Sequence, residues 1–369
     1  MRILHLNAGN ETGGGMFHIM SLLNQLNKEE CLLGVFEKGE LYRRAMSSGI
    51  QTELFKQHSK YDLSILKPLR DFIRLNNIDI IHTHGPRANI YGAFIKRLIK
   101  CPWLLTVHSS PHHDFLGQGV KGKLFTGLHV RSFQYADHIL AVSDRFKQDL
   151  IDQGIHSTKI TKILNGIDFE KELPFPFQRE DFGFGKDDFI IIMPARLEPV
   201  KGHEFALAAL SEVVSEFPHV KLILAGDGSR RSALEEMVSE KGLSLSDHVY
   251  FLGYREDLDR IYPLGDITLL TSLSESFPLV LLEGARSGLP AITSDVGGVQ
   301  ELIPDRSKGW ITDIGNVEQL KLAICNALEL KKSGDLTKIG LDLQKFAKNN
   351  FSIEILANNV YNVYLRMKN

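Results

Sequence analysis

The chain has few cysteines, and their positions exclude several classes of protein. Only three occur in 369 residues, Cys31, Cys101 and Cys325, which is too few and too scattered for a disulfide framework or a zinc-binding domain. A reducing compartment fits this usage. No apolar run reaches the roughly 18 residues that a membrane span needs, and no signal-peptide pattern precedes the first strand. The sequence therefore predicts a cytoplasmic protein.

The chain also lacks a strong excess of charge of either sign. A net charge of −2 argues against binding nucleic acid through bulk electrostatics. The balance is uneven, because residues 1–170 carry 21 Lys and Arg against 16 Asp and Glu and hold 11 of the 14 His. Their net charge is +5, against −7 for the remainder. Since the chain is longer than one core usually holds, we expect two domains with different partners.

The first residues show the pattern strand, glycine-rich turn, helix. A buried strand is predicted for residues 2–7, the run Gly13–Gly15 follows, and apolar residues at helical spacing predict a helix from Met16 to Leu26. The run does not match G-x-G-x-x-G, so a dehydrogenase is poorly supported. Further strands and helices alternate, which predicts parallel sheets covered by helices, with ligands at the carboxyl ends of the strands.

Histidines stand at two of these strand ends. His82 and His84 end one predicted strand and His108 ends the next. We expect the spacing of His82 and His84 to send one side chain to each face of the sheet, which disfavours a shared metal ion, so they are interpreted as core or loop histidines. The polar stretch 111–123 fits either a loop near an acceptor or a plain connector.

A pair of cations opens the second half of the chain. Residues 171–187 are rich in Pro and Gly and are interpreted as a linker between domains. Arg196 and Lys201 follow a predicted strand and precede a helix. A planar guanidinium and a point charge at this spacing can grip one anionic group from two sides, although two solvated surface cations are the plain alternative.

Two carboxylates, Glu275 and Glu283, flank a predicted helix start at or just after Pro278. Helix N-termini attract phosphate, so this stretch suits a ligand that carries both a diphosphate and hydroxyl groups. Asp257 and Asp259 have the spacing of a D-x-D metal motif. They open a helix pattern, however, where acidic residues are favoured by the helix dipole, and we do not expect a metal there.

Taken together, these segments resemble the motifs of family 4 glycosyltransferases, which are retaining enzymes of the GT-B fold that use nucleotide sugars. Glu275 to Glu283 resembles the E-x7-E signature, and Ala195 to Gly202 resembles G-R-L-x-x-x-K-G with Ala in place of the first Gly. Turns that match in the same order are Asn165-Gly-Ile-Asp168, Gly226-Asp-Gly228 and Asp295-Val-Gly-Gly-Val-Gln-Glu301.

The resemblance implies an α/β protein with two Rossmann-like domains facing each other across a cleft. Residues 1–170 would form the acceptor domain and residues 188–352 the donor domain. A C-terminal helix at about 353–369 would pack back on the first domain.

The resemblance also implies roles for individual residues. Arg196 and Lys201 would neutralise the leaving diphosphate. Glu275 would contact sugar hydroxyls beneath the developing positive charge, Glu283 would bind the ribose, and His108 would reach the sugar from the first domain. Further donor-binding residues would be Gly14, Gly15, Gly226, Gly228, Tyr254, Arg255, Phe277, Leu279, Val280 and Gly298. No metal and no cofactor are expected.

The expected function is transfer of a sugar from a UDP- or GDP-sugar to a glycan, lipid-linked or small-molecule acceptor in polysaccharide or glycoconjugate biosynthesis. A nucleotide-sugar 2-epimerase and a non-catalytic nucleotide-sugar-binding subunit are the alternatives. The basic helix predicted at residues 89–100 carries Lys96, Arg97 and Lys100. It fits either peripheral contact with an anionic membrane or a solvated helix face. No nucleic-acid partner is expected.

Overall fold

Two parallel β-sheets organise the chain. The computed structural model describes residues 1–11, 13–59, 62–108, 119–244 and 247–368. The chain divides into two units, Met1–Gly166 with Ile353–Asn369 (unit 1) and Ile167–Ser352 (unit 2). Among the described helices, none is both long and apolar enough to cross a bilayer.

The elements alternate along the chain as a doubly wound fold requires. The first part comprises β1 (Ile3–Asn7), α1 (Gly13–Gln25), β2 (Cys31–Val35), α2 (Glu40–Ser47), β3 (Thr52–Leu54), α3 (Leu66–Leu75), β4 (Ile80–His84), α4 (Pro86–Leu98), β5 (Trp103–Val107), α5 (Gly119–Ser132), β6 (His138–Ala141), α6 (Asp144–Asp152) and β7 (Ile160–Lys162). The second part comprises β8 (Phe189–Pro194), α7 (His203–Val214), β9 (Val220–Ala225), α8 (Arg231–Glu240), β10 (Val249–Gly253), α9 (Leu258–Ile261), β11 (Ile267–Leu270), α10 (Leu279–Arg286), β12 (Ala291–Ser294), α11 (Val299–Leu302), β13 (Gly309–Thr312), α12 (Val317–Ser333), α13 (Leu336–Asn350) and α14 (Ile353–Lys368).

The sheet of unit 1 has the strand order β3-β2-β1-β4-β5-β6-β7, and its paired strands are parallel. Its strands bury both faces, so successive residues enter different cores. Leu4 lies in the core on one face and Ile3 in the core on the other. This explains why the strands are continuously apolar rather than alternating. The strand order reverses direction between β1 and β4, where ligands bind in open α/β sheets.

The last helix, α14, packs on the sheet of unit 1. Its residues Leu356, Val360 and Tyr364 are buried in the same core as Ile19 and Leu22 of α1. The amphipathic pattern of α14 is satisfied by this packing, because its apolar stripe covers one face of the sheet.

The sheet of unit 2 has the order β10-β9-β8-β11-β12-β13, also with parallel pairing. Residues 171–187, expected to be a linker, belong to unit 2. Phe184 is buried there, and the Arg260 guanidinium lies 3.8 Å from the centre of the Phe177 ring. Aromatic side chains therefore attach this Pro- and Gly-rich segment to the second sheet. The order of strands reverses between β8 and β11.

The glycine run at the start of the chain belongs to a helix and not to a preceding turn. Helix α1 begins at Gly13, so Gly14 and Gly15 lie in its first turn. The expected start at Met16 is three residues late, since glycine lowers helix propensity but leaves the backbone free to enter a helix. The loop expected at residues 111–123 lies outside the described residues up to residue 118, and α5 begins at Gly119.

Candidate active site

The predicted donor-binding residues of unit 2 collect at the carboxyl edge of its sheet. Arg196 and Lys201 follow β8, and Glu275 follows β11, the strand beside it. Glu283 lies in α10, which returns from that edge. Two loops that are far apart in sequence therefore meet where the strand order reverses, as expected for a ligand site of an α/β sheet.

Lys201 and Glu275 form an ion pair at this edge. Lys201 Nζ lies 2.5 Å from Glu275 Oε1, and Ser272 Oγ donates to the same oxygen over 2.7 Å. The two side chains of the pair are only 18% and 14% exposed, so they are held in place rather than solvated. Arg196, by contrast, is exposed. One cation of the predicted clamp is thus positioned by a carboxylate, and the other faces solvent.

The loops that carry the two cations pack tightly on the turn after β9. A Cβ at Gly226 would lie 1.9 Å from Ala195 O, so only glycine allows this approach. Leu197 N donates to Asp227 O over 3.0 Å, which joins the same two loops. Gly228, which the resemblance implies is a donor-binding residue, also allows two loops to approach closely, since a Cβ there would lie 2.5 Å from Leu197 O. Both glycines act by fixing the loop that presents Arg196.

Helix α10 begins directly at the site. Pro278 is its N-cap, and Leu279 and Val280 supply the first backbone N–H groups of the helix. The N–H groups of a first helical turn have no partner within the helix and can bind an anion. The Phe277 side chain is buried, with its ring centroid 5.4 Å from that of Phe351, so the side chain anchors the loop.

Glu283 lies one turn inside α10 in a half-buried position. Its Oε2 accepts a hydrogen bond from the Tyr262 hydroxyl over 2.9 Å. Burial raises the pKa of the Glu283 carboxyl, while the Tyr262 hydrogen bond and the charge of Arg286 oppose this rise. Arg286 is itself fixed, since its Nη2 lies 2.5 Å from Asp259 Oδ1. The Glu283 carboxyl is therefore held in a fixed orientation.

The turn after β12 closes the other side of this loop. Gly297 has φ +53°, and a Cβ there would lie 2.4 Å from Ser276 O. Gly298 N donates to Ser276 O over 3.2 Å. This turn thus holds the segment between Glu275 and Pro278, and Gly298 serves the site through that backbone contact.

Tyr254 and Arg255 follow β10, the edge strand of the sheet. The Tyr254 side chain is 70% exposed and free to stack on a planar group. Arg255 forms two hydrogen bonds of 2.8 Å with the Asp257 carboxylate. Asp259 is bound by Arg286 and, over 2.7 Å, by Lys171. The carboxylates of the D-x-D spacing are thus each paired with a cation.

His203, the first residue of α7, is a neighbour of the site that the sequence analysis missed. It is 1% exposed, and within the described part of the chain its Nε2 has no hydrogen-bond partner. Burial, with a smaller contribution from Lys201, lowers the pKa of this imidazole to about 4. Its position two residues after Lys201 is the only signal in the sequence that could have drawn attention to it.

In unit 1, the glycine run and the histidines lie near the reversal of strand order between β1 and β4. Gly14 and Gly15 open α1. Asn7, at the end of β1, donates through Nδ2 to His84 O over 2.9 Å and to Glu11 Oε2 over 3.2 Å. These contacts tie the loop before α1 to the end of β4.

His82 and His84 point to the same face of the sheet, and the expectation that they would point to opposite faces is wrong. Side chains alternate along a strand, so residues two apart share a face. The ring centroids of His82 and His84 lie 4.1 Å apart, and both side chains are fully buried. Thr83 faces the other way, where its hydroxyl accepts a hydrogen bond from Trp103 Nε1 over 2.9 Å.

The histidines form a chain of contacts that starts at His108. His84 Nδ1 lies 3.2 Å from His108 Nε2, and His84 Nε2 lies 3.1 Å from His5 Nδ1. The chain continues from His5 Nε2 to the Tyr364 hydroxyl over 3.3 Å and from there to His82 Nδ1 over 2.6 Å. His108, expected to contact the donor sugar, is thus already in contact with a second imidazole.

Burial keeps these imidazoles neutral. It lowers the pKa of His5 to about 3 and, together with neighbouring histidines, holds the pKa values of His82, His84 and His108 well below the usual value. Burial likewise lowers the pKa of His18, in α1, to about 4. Each ring therefore offers one N–H group and one lone pair.

The basic helix of unit 1 presents fewer free cations than its sequence suggests. Lys96 Nζ lies 2.5 Å from Asp137 Oδ2 and also donates to Cys101 O. Arg97 lies over the Tyr135 ring at 4.6 Å from its centre, and Lys100 is exposed. Of the cations Lys96, Arg97 and Lys100, the last two are therefore exposed to solvent, and they alone could form a basic surface.

Comparison with known proteins supports the interpretation of both units. A family model described as Glycosyltransferase Family 4 matches residues 12–171, and one described as Glycosyl transferases group 1 matches residues 174–340. The chain is 23% identical over 320 residues to UDP-Gal:alpha-D-GlcNAc-diphosphoundecaprenol alpha-1,3-galactosyltransferase of Escherichia coli, a match that covers 83% of this chain and 81% of that protein.

One further relative and one solved structure are also similar to this chain. The chain is 27% identical over 267 residues to N-acetyl-alpha-D-glucosaminyl L-malate synthase of Bacillus anthracis, covering 70% of this chain and 68% of that protein. The crystal structure of Anabaena Alr3699/HepE in complex with UDP matches with a TM-score of 0.85 at 21% identity, covering 99% of this chain and 100% of that one. At that identity the likeness shows the fold, which is GT-B. Since the two family models together span residues 12 to 340 apart from two residues, the chain belongs to the family 4 glycosyltransferases, hexosyltransferase-type enzymes of the GT-B fold.

Proposed function

We propose that this glycosyltransferase moves a sugar from a nucleoside diphosphate sugar, with retention of configuration at the anomeric carbon and without a metal at the diphosphate. The observation that carries the proposal is the contact between Lys201 Nζ and Glu275 Oε1. A lysine that binds a phosphate oxygen and a carboxylate that binds a sugar hydroxyl lie side by side. Their ligand groups must then be adjacent as well, as the β-phosphate and the sugar are in such a donor.

The leaving group is stabilised by fixed positive charge. As the bond between sugar and phosphate breaks, negative charge grows on the diphosphate. Lys201, Arg196 and the first N–H groups of α10 oppose that charge. Preorganised donors of this kind take the role that Mg²⁺ has in other transferases.

Glu275 and Glu283 bind different parts of the donor. Glu275 Oε1 already accepts hydrogen bonds from Lys201 and Ser272, which suits a carboxylate that orients sugar hydroxyls beneath a developing positive charge rather than one that attacks the anomeric carbon. The acceptor then approaches from the face that the diphosphate leaves, and a phosphate oxygen takes its proton. Glu283, which is constrained by Tyr262, accepts from the ribose hydroxyls.

The donor base is proposed to be uracil, with guanine as the alternative. Similar proteins support uracil, since one is named for its use of UDP-Gal and a structural neighbour was crystallised with UDP. The same galactosyltransferase has an acceptor linked to diphosphoundecaprenol, so we propose a glycan or lipid-linked acceptor. Peripheral contact with an anionic membrane would use Arg97 and Lys100. Unchanged vesicle binding after Arg97→Glu with Lys100→Glu would remove that part of the proposal.

Calorimetric titration with UDP, GDP and ADP, each with and without EDTA, tests the centre of the proposal. We expect one nucleotide to bind tightly and its affinity to be insensitive to EDTA. Nuclear magnetic resonance of the product formed from the matching sugar nucleotide then reads the anomeric configuration. Binding that requires a divalent ion, or a product with inverted configuration, would contradict the mechanism. If the protein releases an epimerised sugar when no acceptor is present, its reaction is epimerisation and not transfer.

A further inference from the structure

Three imidazole nitrogens of unit 1 converge on one point. The nitrogens of His18, His84 and His108 that face one another lie within 4.8 Å of one another. Each ring comes from a different element: α1, the end of β4, and the residue after β5. Their positions at the carboxyl edge of the sheet follow from the topology and not from closeness in sequence.

His18 supplies the observation that points to a ligand. The side chain is 1% exposed, and among the described residues its Nε2 has no hydrogen-bond partner. Its Nδ1 lies 2.7 Å from Asn165 Oδ1. Because an amide oxygen accepts only, Nδ1 carries the proton and Nε2 carries a lone pair. A buried lone pair without a donor is costly unless something else binds it.

We propose that unit 1 binds one divalent transition-metal ion of the zinc type through His18 Nε2, His84 Nδ1 and His108 Nε2. Three neutral imidazoles with a fourth position left to water or another ligand are a usual donor set for Zn²⁺. With bonds of about 2.0–2.1 Å, a tetrahedral ion places its nitrogen ligands roughly 3.4 Å apart. His84 Nδ1 and His108 Nε2, at 3.2 Å, already fit, so only the His18 ring has to move closer.

The surrounding hydrogen bonds are consistent with the tautomer that the ion requires. His84 must place its proton on Nε2, where it donates to His5 Nδ1. His5 then donates to the Tyr364 hydroxyl, Tyr364 donates to His82, and His82 Nε2 donates to Thr106 Oγ1 over 2.7 Å. With this direction of donation, the His84 Nδ1 lone pair points toward His108 Nε2, where the ion would bind. Outer hydrogen bonds of this type orient the histidines of metal sites.

A carboxylate is available to offset part of the charge of the ion. Glu11 lies at the same sheet edge, since Asn7 Nδ2 bridges its Oε2 and His84 O. A Cβ at Gly85, the residue after His84, would lie 3.4 Å from the same Glu11 oxygen. A buried cation requires such a partner, and the first loop of unit 1 supplies one.

A second group of histidines, His5, His82 and His84, also has one ring nitrogen of each within 4.8 Å of the others. Both ring nitrogens of His5 and of His82 are already used, in contacts with His84, Tyr364 and Thr106. An ion there would have to break these bonds, whereas His18 Nε2 has no partner in the part of the chain that the structure describes. The site that includes His18 is therefore the better one. The assignment concerns unit 1 and does not depend on the donor site proposed for unit 2.

The test is titration of the untagged, full-length chain with Zn²⁺ in a calorimeter and with Co²⁺ in a spectrophotometer. We expect one ion per chain and the visible absorption of tetrahedral Co²⁺ bound by nitrogen. His18→Gln should abolish both signals. Asn165→Ala, which keeps all three ligands but loses the group that orients His18, should weaken Zn²⁺ binding about 10- to 100-fold.

Two variants act as matched controls. His219→Gln changes an exposed histidine of unit 2 and should bind like the wild type. His82→Gln distinguishes the two histidine groups and should change the affinity less than tenfold. Wild-type protein that binds no stoichiometric ion, or His18→Gln that binds as tightly as wild type, would overturn the proposal. So would loss of binding in His82→Gln with retention in His18→Gln. Unfolding curves without metal establish that His18→Gln is folded, and Asn165→Ala decides the question if it is not.

Discussion

Glu283 offers a sharp test of the donor site, because its proposed ligand groups can be removed one at a time. A hydrogen bond to a charged group contributes about 1.5–3 kcal/mol. Replacing Glu283 by Gln keeps the shape and one acceptor oxygen but removes the charge. Since a neutral hydrogen bond retains about 0.5–1.5 kcal/mol, we expect Glu283→Gln to lose about 1–1.5 kcal/mol and to weaken binding of the preferred nucleoside diphosphate by about 5- to 15-fold, at roughly 1.4 kcal/mol per factor of ten.

The assay is calorimetric titration with this nucleotide and with its 2′-deoxy form. The wild type should discriminate strongly between the two, whereas in Glu283→Gln the difference should shrink to a few-fold, because a neutral hydrogen bond contributes only about 0.5–1.5 kcal/mol. Glu329→Gln, which changes an exposed glutamate of α12, is the control for a general effect of charge. An unchanged ratio between the two nucleotides in Glu283→Gln would refute the assignment of Glu283 to the ribose.

The pH dependence of binding gives a second signature of the same residue. The raised pKa of Glu283 means that the folded protein holds this proton to a higher pH than the unfolded chain does. Its contribution to stability is therefore complete below the unfolded pKa and is lost as pH rises through the folded pKa. Ribose hydroxyls donate to the ionised form, so nucleotide affinity should rise over the same pH interval. In Glu283→Gln both dependences should disappear, and a rise in affinity that persists would have to come from another group.

Three further changes test other parts of the molecule. Arg196→Ala and Lys201→Ala should each lower turnover about 100- to 1000-fold while the unfolding midpoint stays near that of wild type, and near-normal rates in both would refute the clamp. Gly226→Ala should weaken nucleotide binding in calorimetry, because its Cβ would lie 1.9 Å from Ala195 O, and Gly127→Ala, where a Cβ meets no neighbour within 4 Å, should not. His203 has a pKa of about 4 in the folded protein and about 6.5 in the unfolded chain, so it should lower stability by about 2 kcal/mol at pH 5 relative to pH 8. Denaturant titrations of His203→Gln should show a correspondingly smaller loss of stability on acidification.

Much of the fold could be predicted because the strands are short apolar runs between turn residues. The strand predicted for residues 2–7 is observed as β1, Ile3–Asn7, and the strand predicted before Arg196 is observed as β8, Phe189–Pro194. Local pattern is less informative where packing decides the outcome. Helix α13, Leu336–Asn350, has no counterpart among the predicted elements, and it is held against unit 2 by a close approach in which a Cβ at Gly340 would lie 1.9 Å from Gly288 O. Such a contact is long-range and leaves no periodic trace in the sequence.

The candidate site shows the same division between motif and packing. The resemblance to the family motifs pointed to Arg196, Lys201, Glu275 and Glu283, and their places after a strand and around a helix start fit the chemistry that it implies. Spacing could not show that Lys201 pairs with Glu275, since 74 residues separate them and only the adjacency of β8 and β11 brings them together. Nor could it show that His203 is buried without a partner for Nε2 among the described residues.

The two sheets place different chemistry at equivalent points of their topology. Each reverses its strand order once, between β1 and β4 in unit 1 and between β8 and β11 in unit 2. In unit 2 the side chains at this point are charged and partly exposed, so they can exchange the Lys201–Glu275 contact for contacts with a charged ligand. In unit 1 they are imidazoles whose pKa values are lowered by burial. They are therefore neutral, and each presents one N–H group and one lone pair rather than a charge. A site rich in lone pairs cannot neutralise a diphosphate, but it can bind a cation or accept a hydroxyl proton. The electrostatics of the two points therefore favour an anionic ligand at unit 2 and a cation or hydroxyl groups at unit 1.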